Sequence, residues 1–175
     1  QSEDQISSVR QQAYPKIAQA QLAAGGADVY PDATGTLRLA YGTLRGYDQD
    51  GIAVPASTTM GDVFSYASHR EDQPPYQISP SWVAAKPKIK ADTPFDFVCT
   101  ADIVGGNSGS PVVNKQGEVV GLIFDGNIQS LGGAYAYTDA QARSVAVHSE
   151  AIIEALRHIY GADALADEIV TGHAR

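Results

Sequence analysis

The sequence predicts a mainly β unit of six to seven short strands with helices at both ends. Three observations predict it. Apolar residues alternate with period two through the middle of the chain, as in half-buried strands. Gly (17) and Pro (9) break the 175 residues into short pieces, which suits strands and turns better than a helix bundle. Towards both ends the spacing becomes that of a helical face. The expected organisation is a helical segment over 1–27, a β unit over 28–148 and helices over 149–175.

Residues 1–24 read as a helix. Ser2 and Gln5 have capping-box spacing, Glu3 and Asp4 fall in the first turn, and Ile6, Val9, Ala13, Ile17 and Ala20 follow a helical spacing. Pro15 should kink or split the helix, and Gly25-Gly26 should end it. Strands are expected over Thr34–Tyr41 and Thr43–Tyr47, then a turn at Asp48–Gly51. Residues 52–94 carry six prolines (Pro55, Pro74, Pro75, Pro80, Pro87, Pro94) and read as loop, with one short helix over Met60–Tyr66. Phe95–Thr100 reads as a strand. Pro111–Asn114 and Glu118–Phe124 read as a hairpin joined through Lys115-Gln116-Gly117. Ala134–Tyr137 and Arg143–His148 read as two more strands. Ser149 can cap a helix striped by Ile152, Ile153, Leu156, Ile159 and Tyr160 that stops at Gly161, and a second helix follows over Ala162–Val170.

Composition removes several classes of function. Twelve Lys+Arg against twenty Asp+Glu give a net charge of −8, which argues against nucleic acid or an anionic membrane as partner. No apolar run is long enough to span a bilayer. Cys99 is the one cysteine, so neither an internal disulfide nor a cysteine-based zinc site is expected. No metal or cofactor is implied. The polar start of the chain carries no apolar signal core, so an export signal, if the protein is exported, is expected outside these residues.

The chemistry concentrates in Asp102-Ile-Val-Gly-Gly-Asn-Ser-Gly-Ser-Pro111, between two strands. A nucleophilic serine needs an exposed hydroxyl on a tight turn, with backbone N–H groups nearby to hold an oxyanion. Flanking glycines permit the backbone angles and leave room for a substrate carbonyl. Ser108 is therefore the candidate nucleophile, and the N–H groups of Gly106 and Ser108 the candidate oxyanion hole. An ordinary Gly/Ser loop is the plainer alternative. A strand follows the serine where an α/β-hydrolase elbow would lead into a helix, which excludes that class.

The order around Ser108 resembles chymotrypsin-like peptidases. With Tyr30–Leu39, Tyr41-Gly42, Gly105–Pro111, Gly121–Asn127 and the segment Val145–Tyr160, the chain resembles the bacterial dipeptidyl-peptidase family typified by dipeptidyl-peptidases seven and eleven. The resemblance runs over roughly residues 28–170. It implies the C-terminal half of a trypsin-like double β-barrel with flanking helices, residues 1–27 being the end of an inserted helical domain. It implies a periplasmic or secreted serine exopeptidase that releases dipeptides from peptide N-termini, with peptides as partners and scope for a homodimer of the full enzyme. In that family the catalytic His and Asp lie in an N-terminal barrel. Here only His69 precedes Ser108, and it reads as a solvated loop residue. His158 and His173 read as exposed, and His148 as packed or capping. The isolated chain is expected to lack a complete triad and to be inactive. A degenerate, non-catalytic peptide-binding domain is the alternative.

The resemblance also gives roles to the substrate side. Asp125 matches a carboxylate that helps hold the substrate's α-ammonium group, though by spacing it is a turn residue. Gly126 matches the position where a basic residue goes with acidic side chains beside the scissile bond and glycine goes with apolar ones. Asn107 is expected to hold its turn by a hydrogen bond, Asp102 to end a strand, Asp32 to organise a turn and Trp82 to pack.

Overall fold

We describe residues 2–25, 37–134 and 137–173 of the computed structural model. They form two compact units, 1–39 and 40–175. In the first, helix α1 runs over Ser2–Gly25 and continues through Pro15, which neither splits nor ends it. Ile6, Val9, Tyr14 and Ile17 on it are exposed. The expected Ser2–Gln5 cap involves side chains outside the described set, and Asp32 and residues 34–36 also fall outside it.

The second unit contains seven strands among its described residues. Strands β1 (Tyr47–Gln49) and β2 (Ile52–Val54) form a hairpin, with Gln49 opposite Ile52. Its two-residue turn, Asp50-Gly51, has positive φ at both positions (55° and 82°), as the right-handed twist of a tight hairpin requires. Asp48 Oδ1 accepts the Gly51 N–H at 2.9 Å.

The remaining strands form one antiparallel sheet. They are β3 (Ser57–Thr59), β4 (Pro94–Cys99), β5 (Pro111–Val113), β6 (Val119–Gly126) and β7 (Ser144–His148), in the order β3-β4-β7-β6-β5. The sheet does not close into a barrel. Between β3 and β4 lie α2 (Met60–Ser68) and α3 (Pro80–Ala85), followed by a 3-10 turn at Lys86–Lys88. A capping box starts α2: Thr59 accepts from the Asp62 N–H while Asp62 accepts from the Thr59 N–H. A 3-10 segment, Ile128–Ala134, leaves β6. After β7 come α4 (Ser149–His158) and α5 (Asp163–Thr171), and Gly172 ends α5 at φ 72°. His148, not Ser149, caps α4, its Nδ1 accepting the Glu150 N–H.

Two apolar clusters hold this unit. Met60, Phe64, Ala85, Ile89 and Ala151 join α2, α3 and α4. Phe97, Ile123 and Ala146 pack on one face of the sheet with Ile103, Val112 and Val120. Gly121 lets the Phe97 ring cross β6, since a Cβ there would lie 2.7 Å from the ring and 2.4 Å from the Val147 carbonyl.

Three expected strands, Thr34–Tyr41, Thr43–Tyr47 and Ala134–Tyr137, differ in their described residues, and residues 135–136 lie outside the described set. Residues 37–41 are not in a strand: Leu37, Leu39 and Tyr41 are almost fully exposed, and no described neighbour supplies a ladder. Beyond them Leu44 makes an isolated bridge to Cys99, and Tyr47 opens β1. In Ala134–Tyr137, Ala134 ends the 3-10 segment and Tyr137 is irregular, its hydroxyl donating to the Thr100 carbonyl.

Candidate active site

Ser108 lies on an exposed turn between β4 and β5. Two glycines bend the chain around it, Gly106 at φ 104° and Gly109 at φ 84°, angles that a side chain would strain. Asn107 locks the turn from inside. Its N–H donates to the Val104 carbonyl at 3.1 Å, and its Oδ1 accepts the Val104 N–H at 3.0 Å. On the far side, the Gly109 N–H donates to Ile123 O at 2.7 Å and the Ile123 N–H to Ser110 O at 3.0 Å, fixing the turn to β6. The Ser108 hydroxyl rests 3.4 Å from the Phe124 carbonyl, a long contact that leaves it free to reorient. Among the described residues, the N–H groups of Gly106 and Ser108 have no acceptor. An exposed hydroxyl with two uncommitted amides is suited to attack a carbonyl and to receive the oxyanion.

Three of the four histidine rings are engaged elsewhere. His69 ends α2 rather than sitting in a loop, its Nδ1 2.6 Å from Ser65 O. His148 caps α4 and stands edge-on to Phe97. His158 is half-buried rather than exposed, with Nε2 3.7 Å from Glu154. His173 is exposed near the end of α5, and only its backbone N–H is bound, donating to the Thr171 hydroxyl. None of them hydrogen-bonds Ser108 among the described residues.

The substrate-side candidates lie at the end of β6, where a register shift bends the strand between Ile123 and Asp125. Asp125 is exposed, and its Oδ1 accepts the N–H of Gly126 at 2.8 Å. Asp125 pairs with Val145 and Gly126 with Ser144 of β7, so both are strand residues, and Asp125 is not the turn residue that its spacing suggests. The space that a side chain at 126 would take is filled. A Cβ at 126 would lie 2.3 Å from Ser130 Oγ, which donates to the Asn127 carbonyl at 2.6 Å. Asn127 is tied to the start of β7: its Oδ1 accepts the Arg143 N–H and its Nδ2 donates to Gln141 O. Sequence reading missed the roles of Ser130, which bonds the nearby Asn127 at the start of its own 3-10 segment, and of Asn127, whose partners Gln141 and Arg143 come from a chain reversal of some fifteen residues.

Asp102 follows β4. One of its carboxyl oxygens is buried without a partner, and burial pushes its pKa up. Trp82 packs as expected, 5.9 Å from Phe95 and 6.4 Å from Phe64 between ring centroids. Among the described residues no cluster of His, Cys, Asp and Glu has the makings of a metal site.

The model of the peptidase S46 family matches residues 1–171. The chain belongs to that family. It is 34% identical over 150 residues to dipeptidyl-peptidase 7 of Phocaeicola vulgatus, covering 79% of this chain and 20% of that protein. It is 32% identical over 161 residues to the Asp/Glu-specific dipeptidyl-peptidase of Porphyromonas gingivalis, covering 83% of this chain and 21% of that one. The crystal structure of Porphyromonas endodontalis DPP11 in complex with the dipeptide Arg-Asp superposes with a TM-score of 0.72 at 29% identity, over 87% of this chain and 23% of that one. The S46 chain described here thus spans about a fifth of the length of these curated relatives. The likeness to a dipeptidyl-peptidase structure agrees with the β architecture expected from the sequence, as one open part of the barrel.

Proposed function

We propose that this S46 chain is the nucleophile-bearing part of a serine dipeptidyl-peptidase that acts on free peptide N-termini. The observation that carries this reading is the Ser108 turn, with its exposed hydroxyl and two amides without acceptors. Ser108 Oγ attacks the carbonyl of the substrate's second residue and its proton passes to a base. The Gly106 and Ser108 amides hold the oxyanion. The leaving amine takes the proton, and water then releases the dipeptide from the acyl-enzyme.

The base is supplied by residues outside this chain, a His oriented by an Asp, because among the described residues no histidine hydrogen-bonds Ser108 and three of the four rings have contacts elsewhere. The 175 residues by themselves are then inactive or nearly so, since a serine hydroxyl without its base is a weak nucleophile. Asp125 contributes to holding the α-ammonium group, and Gly126 favours an apolar residue beside the scissile bond. The enzyme works in the periplasm or outside the cell. The same histidine contacts favour a second reading, a degenerate domain that binds peptides without cleaving them.

Fluorophosphonate labelling of the 175-residue chain alone, and of a longer protein in which it is joined to the His- and Asp-bearing barrel of an S46 relative, separates the two readings. Labelling and dipeptide release by the longer protein, both abolished by Ser108→Ala, are expected, with at least a hundredfold slower labelling of the short chain. No labelling of the longer protein would establish the degenerate domain. Rapid turnover by the short chain would overturn the external base.

A further inference from the structure

A second site lies apart from the Ser108 turn and β6. A cleft of about 500 Å3 opens between α2, α3 and β4, and it shares no residue with the segment 102–130. Tyr66, Tyr76, Trp82 and Phe95 line it. Tyr66 meets Tyr76 edge to face at 5.6 Å, and Trp82 meets Phe95 at 5.9 Å. Two carboxylates, Asp62 and Asp96, also line it. Asp62 is committed to the start of α2, where its Oδ2 accepts from both the N–H and the hydroxyl of Thr59. Asp96 is different. Its backbone N–H is bound to Thr58, but its carboxylate has no hydrogen bond or ion pair among the described residues. Burial pushes its pKa up to about 6, with no attractive charge opposing the shift.

Three kinds of ligand can be compared for such a cleft. An anion would be repelled by both carboxylates. A neutral apolar molecule would cover the aromatic walls but strip more water from Asp96 with nothing in return. A cation on an apolar stem covers the walls and offsets the uncompensated charge. The rings already attract one cation: the Arg70 guanidinium lies 3.9 Å over Tyr66 and 4.5 Å from the Tyr76 centroid. We propose that this cleft binds a small protonated primary amine carried on an aromatic or aliphatic stem, with Asp96 as its counter-ion and the Trp82 and Phe95 rings around the stem. The site is independent of peptide cleavage at Ser108 and stands or falls separately.

Trp82 is the chain's one tryptophan, so its fluorescence reports on the cleft. The test titrates the 175-residue protein at pH 8 with three probes of matched shape: 2-phenylethylamine, 2-phenylethanol and 3-phenylpropionate. The amine is expected to bind at least tenfold tighter than the alcohol, and the carboxylate most weakly. Asp96→Asn should bring the amine within about twofold of the alcohol and leave the alcohol unchanged. Asp92→Asn, which lies outside the cleft, should keep the tenfold preference. Asp96→Asn removes a poorly solvated charge and does not threaten folding. Equal affinity for amine and alcohol in the unaltered protein, or an amine preference that survives Asp96→Asn, overturns the proposal.

Discussion

Asp96 illustrates how a single side chain can work against the fold that holds it. Its carboxyl titrates near 3.8 in the unfolded chain and at about 6 in the folded one, because burial disfavours the charged form. The folded state therefore holds the proton more tightly, and stability falls as pH rises from about 4 to about 6. Above that window the whole cost is present. Asp96→Asn should thus stabilise the protein by about 1 kcal/mol at pH 8, a figure reduced for solvent screening of this half-buried group. The gain should shrink towards zero near pH 4, as urea unfolding at the two pH values will show. A gain that does not change with pH would exclude burial of the charge as the cause. Nothing in the sequence marks Asp96, one polar residue in an alternating strand. Ser108 and Asn107 were legible for the opposite reason: glycines, the turn amides and the hairpin that follows all lie within a dozen residues. The bonds of Asn127 and the state of Asp96 depend on segments far apart in the chain.

Strands and helices divide along the same line. The hairpin turn at Asp50-Gly51, the start of α2, and α4 with its apolar stripe were legible because each is specified by neighbouring residues. Strands β2 and β3 have three residues each, too few to show a period, and α3 sits in a proline-rich stretch that reads as loop. Residues 37–41 misled in the other direction, since alternation describes a strand only when a ladder partner exists. The junction of β1, β7 and the 139–142 loop depends on Arg143, almost fully buried. Its guanidinium donates to four backbone carbonyls, those of Arg45, Gly46, Asp139 and Ala142, at 2.7 to 2.9 Å. Arg143→Met should cost about 3 kcal/mol in urea unfolding, because those carbonyls lose their donors. Arg143→Lys should recover less than half of that, since one ammonium cannot span the fork. A loss under 1 kcal/mol for Arg143→Met would show that water replaces the guanidinium at little cost.

Across the molecule, no helix among the described residues is long and apolar enough to cross a membrane. The family was legible from the order of a few motifs, and the β architecture from the spacing of turns. An open sheet leaves apolar side chains in water. In the second unit Tyr41, Leu44, Phe124, Ile128 and Leu131 are each about half exposed or more. Exposed apolar surface of this amount favours contact with other apolar surface. The 175-residue chain should therefore bind the dye ANS strongly and self-associate at micromolar concentration. The double change Ile128→Lys and Leu131→Lys should reduce both by half or more. A strictly monomeric chain with no dye binding would show these side chains to be harmless surface.

The hydroxyl of Ser130 beneath Gly126 has an evolutionary consequence. Any ancestor or descendant that gains a side chain at position 126 must first move or lose the group underneath it, so the two sites cannot drift independently. Turning the serine aside gives up its bond to the Asn127 carbonyl, so a side chain at 126 comes at the expense of the contact that ties the 3-10 segment to the end of β6.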